Sequence, residues 1–177
     1  MQAMTASSPR AIERSVDDFE RLFRAEYRRV VAVAARVLAD AGEAEDVAQE
    51  VFSDFHRLHD ARAPWAAGWL HRAAAHRALN AIRTRERRGR RESSAALERP
   101  LPEDPADAVV RAEEKRAVRA ALARLPEKSA SVLALRYAGL SYAEVAAALG
   151  VGVNSVGTIL KRAEAKLRRE VERGTSG

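Results

Sequence analysis

The sequence predicts an all-α protein made of two small helical domains joined by a flexible linker. Three observations carry that expectation. Alanine, arginine, leucine and glutamate dominate the 177 residues, and glycine appears only nine times, a mix that favours helix over strand. Apolar residues recur three and four positions apart along two long blocks, the period of a helix that buries one face. Between the blocks Pro100, Pro102 and Pro105 crowd together after Gly89, Ser93 and Ser94, and no helix interior tolerates that run. The expected division is a disordered tail over 1–15, a first domain over 16–88, a linker over 89–108, a second domain over 109–173 and a tail over 174–177.

In the first block, Phe19, Leu22, Phe23, Tyr27, Val30, Ala34 and Val37 share one helical face. Asp17 or Asp18 suits its N-cap. Gly42, in Ala39-Asp40-Ala41-Gly42, suits a left-handed C-terminal position. A second helix is expected from about Glu43 to His59, with Val47, Val51, Phe55 and Leu58 inward. Asp46, Gln49, Glu50 and Ser53 then line a different face, spaced so that one partner touches all four. Pro64 suits the first turn of a third helix. That helix is expected to bury Trp69, Leu70, Ala73, Ala74, Ala78 and Ile82, with Arg72, His76, Asn80, Arg83 and Arg87 along its other edge. Arg83, Arg85, Arg87, Arg88, Arg90 and Arg91 form a basic run broken by Glu86, suited to a phosphate backbone.

In the second block, Val110, Ala117, Val118, Ala121, Leu122 and Leu125 form an inward helical face that Pro126 ends. A short helix follows over about Ser129 to Tyr137. Then comes the sharpest local signal. Ser141 with Glu144 makes a capping box, Val145, Ala146 and Leu149 give an apolar side, and Gly150 sits where a tight turn needs positive φ. Asn154 or Ser155 suits the cap of the next helix, which Val156, Ile159, Leu160 and Ala163 pack back. This is a helix-turn-helix. Its second helix exposes Asn154, Ser155, Gly157, Thr158, Lys161 and Arg162. The short polar residues are suited to base edges in a major groove. Lys161, Arg162, Lys166, Arg168 and Arg169 are suited to phosphates.

Composition narrows the function classes. Lysine and arginine outnumber acidic residues by six, and the pI near 10.3 favours a polyanionic partner. With no cysteine, disulfides, thiolate metal sites and cysteine catalysis are excluded. No apolar run approaches membrane-spanning length, and residues 1–15 carry no signal-peptide core, so a cytoplasmic protein without membrane insertion is expected. No glycine-rich phosphate loop is present. The pairs His56/His59 and His71/His76 lack a carboxylate complement for a metal. Neither an enzyme, a metal site nor a cofactor is expected.

Three stretches together resemble the extracytoplasmic function sigma factors of bacterial RNA polymerase. Ala44 to Phe52 is similar to the family's D-x-x-Q-E-x-F segment. Trp69 to Arg83 is similar to its −10 promoter-reading helix. Arg124-Leu125-Pro126, Leu135-Arg136-Tyr137, Gly139-Leu140-Ser141-Tyr142 and the helix-turn-helix are similar to its −35-reading domain. The resemblance implies a sigma factor that binds core polymerase and reads both promoter elements. It implies polymerase docking by Asp46, Gln49, Glu50 and Phe52, on clamp helices of the largest subunit, with the flap region of the second-largest subunit as a further partner. It implies −10 contacts from Trp65, His71, Arg72, His76, Arg77, Asn80, Arg83 and Arg87. It implies −35 contacts from Arg136, Asn154, Ser155, Gly157, Thr158, Lys161 and Arg162, and an anti-sigma factor as a regulatory partner. For Arg136 an ion pair with Glu144 is an equal alternative. The chain departs from the family at His76, where asparagine is common, at Asn80, where aspartate is common, and at Gly157-Thr158-Ile159, where Lys-Ser-Arg is frequent. The competing reading is a helix-turn-helix regulator that never joins polymerase, with its first block serving dimerisation.

Overall fold

A computed structural model describes the backbone of residues 9–89 and 105–175, and the side chains of 16–89 and 111–174. Within them are seven helices and no strand: α1 (Pro9–Leu38), α2 (Ala41–Leu58), α3 (Ala66–Gly89), α4 (Pro105–Arg124), α5 (Glu127–Tyr137), α6 (Tyr142–Leu149) and α7 (Val153–Thr175). The all-α expectation holds. Most of the expected linker, residues 90–104, lies outside the described residues, as do Arg90 and Arg91. No single described helix is long and apolar enough to cross a membrane.

Helices α1, α2 and α3 pack around Val30, Val33, Val37, Val51, Phe55 and Leu70, all fully buried. Phe19, Phe23, Tyr27 and Phe52 close one side with stacked, tilted and edge-on ring contacts, which add to their area burial. Helices α4 to α7 gather around Val132, Leu135, Leu140, Val145, Val156 and Ala163. The two groups share α3, which also packs against α4, α5 and α6. Its Ala75 and Leu79 are therefore buried along with the expected Leu70, Ala74, Ala78 and Ile82.

Several boundaries differ from expectation for local reasons. Helix α1 begins at Pro9, inside the stretch expected to be disordered, because the fixed φ of proline suits a first helical turn. Asp17 and Asp18 consequently sit within α1 rather than capping it. The left-handed residue after α1 is Ala39, at φ 57°, not Gly42. Asp40 is already the N-cap of α2, its side chain accepting from the Glu43 N–H at 2.9 Å, so the reversal must be complete one residue earlier. Pro64 precedes α3 by two residues. Residues 105–108, expected in the linker, begin α4, and α7 runs on to Thr175, into the expected tail. Arg124 anchors that end through Glu170 Oε2 at 2.9 Å and the Glu170 carbonyl at 3.1 Å. Leu58 and Val118, expected inward, are 60% and 43% exposed; Leu58 ends α2, where the chain leaves the bundle.

Candidate nucleic-acid interface

The helix-turn-helix forms as its residues dictate. Ser141 Oγ accepts from the Glu144 N–H at 3.3 Å, and Glu144 Oε2 accepts from the Ser141 N–H at 2.8 Å. Gly150 takes φ 64° after Leu149, and α6 and α7 meet at 88°. Helix α7 starts at Val153, so Asn154 and Ser155 lie in its first turn and neither is its cap. That placement leaves both exposed at the leading end of the helix, with Thr158, Lys161 and Arg162 exposed along it. Gly157 is half-buried: a Cβ there would lie 3.5 Å from Cε2 of Tyr142. Arg136 donates to the Leu140 carbonyl at 3.4 Å and stands 5.7 Å from the Tyr142 ring centroid, within cation–π range. It does not pair with Glu144, whose partner is Arg29 of α1. The Ser141 backbone N–H first, and the Arg29 guanidinium second, hold the Glu144 carboxyl down at about 2. Tyr142, 42% exposed beside the α7 N-terminus, is a surface residue the sequence did not single out; an aromatic beside the capping serine was its available signal.

On α2, Asp46, Gln49, Glu50 and Ser53 are all exposed on one face. Phe52 is not part of it. It is only 3% exposed and meets the Phe19, Phe23 and Tyr27 rings, because α1 lies over that side of α2. The expectation that Phe52 docks a partner is corrected to a core role. Arg77 also changes assignment. Its guanidinium donates to Glu50 at 2.7 Å and to Asp54, so it borders the acidic α2 face rather than the α3 edge.

The α3 edge divides similarly. Arg72, His76, Asn80 and Arg87 are exposed, and Trp65 is half-exposed, edge-on to Phe55 and His59. His71 is 1% exposed, with Nε2 2.8 Å from Glu26 Oε2. Burial lowers its pKa although Glu26 opposes the shift. The expectation that His71 touches DNA is corrected: one residue's rotation from Arg72 turns it to the side where α1 packs. His76 Nδ1 reaches Glu127 Oε1 of α5 at 2.7 Å, and Asn80 Nδ2 reaches His76 Nε2 at 2.8 Å. Arg83 Nε and Nη2 donate to the carbonyls of Ala123 and Leu125 at 3.3 and 3.2 Å. Arg87 donates to Thr84 Oγ1 at 3.4 Å. Glu127 and Arg29 are neighbours of the candidate site that local patterns could not reveal, since each meets its partner across a long sequence separation.

Comparisons with known proteins agree with this arrangement. Residues 22–88 match the family model described as Sigma-70 region 2, and residues 115–167 match Sigma-70, region 4. The chain is 34% identical over 157 residues to the ECF RNA polymerase sigma factor SigM of Mycobacterium tuberculosis (strain ATCC 25618 / H37Rv), covering 85% of this chain and 76% of that protein. It is 30% identical over 150 residues to the ECF RNA polymerase sigma factor SigK of Mycobacterium sp. (strain KMS), covering 81% and 78%. Among solved structures, CnrH in complex with the cytosolic domain of CnrY has a similar fold (TM-score 0.52, 23% identity, 94% of this chain and 91% of that one). So does the sigma factor RpoE in complex with the anti-sigma factor NepR from Bartonella quintana (TM-score 0.53, 18% identity, 88% and 97%).

Proposed function

This chain belongs to the extracytoplasmic function sigma factors of bacterial RNA polymerase, and from that premise we propose how its surfaces divide the work. As a sigma factor it binds core polymerase and directs promoter-specific initiation by reading −35 and −10 elements. We assign docking on the clamp helices of the largest subunit to Asp46, Gln49 and Glu50 of α2, whose exposed carboxylates and amide suit an arginine-bearing partner. We assign −10 reading to Trp65, Arg72, His76, Asn80, Arg83 and Arg87. Strand opening needs groups that hold an unstacked base and its phosphates, and these supply an aromatic face, cations and amide donors. We assign −35 reading to Asn154, Ser155, Thr158, Lys161 and Arg162 on α7, with Arg136 and Gly157 at its edge. The two working units are 9–89 and 105–175, joined by 90–104.

The observation that carries this reading is that the α2 acidic face and the α7 N-terminal face are both solvent-facing in a chain matching the two sigma regions in order. The remaining assignments follow from the partners: the chain works in the bacterial cytoplasm, regulates initiation without catalysing a reaction itself, contacts the polymerase flap and has an anti-sigma factor as a partner; RpoE is found in complex with one, NepR. The test is in-vitro transcription with core polymerase over a promoter library. Gln49→Ala with Glu50→Ala is expected to weaken core binding about tenfold, roughly 1.4 kcal/mol, and to leave −35 duplex binding by the full chain unchanged. Core binding equal to wild type would overturn the docking assignment, and a wild-type chain that neither bound core nor gave promoter-dependent initiation would return it to the polymerase-independent regulator.

A further inference from the structure

Like charges four residues apart on one helix repel, and Glu50 and Asp54 stand in that relation on α2. Arg77 of α3 resolves the conflict. Its Nη1 donates to Glu50 Oε2 at 2.7 Å, and its Nη2 donates to Asp54 Oδ2. One planar guanidinium, whose donors point in fixed directions, thus joins the two carboxylates. Asp54 accepts a further hydrogen bond at Oδ1, from Arg57 one turn along α2, at 2.7 Å. Arg57, Asp54, Arg77 and Glu50 therefore form a row of alternating sign. The row ends on Glu50, a residue assigned to core docking.

Exposure rises along that row toward Glu50. The Asp54 side chain is 27% exposed, Arg77 35% and Glu50 63%. The anchored end lies against the helix pair, and the free end faces solvent. Gln49, Glu50, Ser53, Asp54 and Arg77 line one open depression, so a partner side chain that reaches Gln49 and Glu50 enters beside Arg77. A carboxylate accepts at both oxygens. Arg77 takes Oε2 of Glu50, and Oε1 is the acceptor left for an incoming cation.

Two effects of Arg77 on docking oppose each other. As a cation it offsets the acidic face and repels an arginine-bearing partner. As a fork it holds the Glu50 side chain in one arrangement, so that binding does not have to order it. Charges this exposed are strongly screened, and a partner cation approaches the free Oε1 rather than Arg77. The ordering effect therefore dominates. We infer that Arg77 is a positioning residue for polymerase docking: anchored by Asp54, it fixes the Glu50 carboxylate in the orientation that core polymerase meets. The inference rests on the assignment of Glu50 to docking.

The test uses full-length chains carrying Arg77→Ala or Arg77→Lys, each alone and combined with Glu50→Ala, beside wild type and Glu50→Ala. Helix content is followed by circular dichroism, and affinity for immobilised core polymerase by biolayer interferometry. The sign of the change separates the two effects. Removing a cation makes the face more acidic, so charge alone predicts tighter binding by Arg77→Ala, whereas lost positioning predicts weaker binding. Arg77→Lys keeps the charge and replaces the fork by a single ammonium. At native helix content both variants are expected to weaken core binding about fivefold, and neither should weaken it further once Glu50 is alanine. If Arg77→Ala loses helix, Arg77→Lys decides alone. Tighter binding by Arg77→Ala would overturn the proposal and make Arg77 a competitor for Glu50. Wild-type affinity in Arg77→Lys would show that the fork is not needed and overturn it as well. An equal loss with and without Glu50 would mean that Arg77 acts on its own, which also overturns it. Wild-type affinity in Glu50→Ala would instead remove Glu50 from docking, and the positioning role with it.

Discussion

Glu144 is the residue on which the helix-turn-helix and the inter-domain contact both lean, so its replacement tests the energetics directly. Its carboxylate accepts from the Ser141 N–H at 2.8 Å and pairs with Arg29, and its pKa falls from the ordinary 4.5 to about 2. A shift of that size corresponds to roughly 3 kcal/mol in favour of the charged form. About a third of the side chain is open to water, and solvent screening reduces the figure to about 1.5 kcal/mol. Glu144→Gln keeps an acceptor for Ser141 and loses the charge, so about 1 kcal/mol of stability should disappear. Glu144→Ala also breaks the capping box and should cost about 2 kcal/mol, lowering Tm by about 4–8 °C for a chain of this size. The pH dependence has a definite sign. The folded pKa lies below the unfolded one, so the contribution is complete above pH 4.5 and is lost as pH falls through about 2. Urea unfolding followed by circular dichroism at pH 7, 4 and 3 should show wild type and Glu144→Gln converging as pH falls. A Glu144→Gln protein as stable as wild type at pH 7, or a gap that stays constant down to pH 3, would refute the reasoning.

Three further outcomes follow from particular contacts. Ala39 holds a left-handed φ of 57°, costly for a residue with a Cβ, so Ala39→Gly should raise stability by about 0.5 kcal/mol after the extra chain entropy of glycine is counted; a lowered urea midpoint would contradict this. Phe52→Ala should cost about 3–4 kcal/mol by emptying an aromatic core site, whereas Phe52→Leu should fold and keep core-polymerase binding; loss of binding by a folded Phe52→Leu would restore Phe52 as a contact. Burial lowers the His71 pKa below 6.5, so the unfolded chain takes up protons first and stability should decline as pH drops from 6.5. His71→Gln should flatten that decline between pH 7.5 and 5.5, and an unchanged slope would show that His71 is not its source.

Local sequence determined the parts of this protein that depend on neighbours in the chain. The capping box of Ser141 with Glu144, the left-handed Gly150 and the apolar spacing of α1, α2 and α7 are short-range facts, written within a few residues and read without tertiary context. The exposed Asp46, Gln49 and Glu50 face and the polar leading turn of α7 follow from the same periodicity. The sequence was less reliable where two elements compete for one residue. Gly42 looked like the left-handed cap, yet Asp40 starts α2 so soon that Ala39 must take that role. Phe52 belongs to a motif that suggested a surface contact, yet α1 covers it. His71 and Arg77 sit on the helix expected to carry the −10 edge, yet their places around it, about 100° per residue, aim one at Glu26 and the other at Glu50 and Asp54. Only the tertiary structure could decide that α3 has two buried sides. Its alanines and Gly68 are small enough for either solvent or a close neighbour, and periodicity cannot distinguish the two. The choice depends on Ala147, Glu127 and the α4 carbonyls arriving from forty or more residues away, with the directional hydrogen bonds of His76 and Arg83 fixing where they rest.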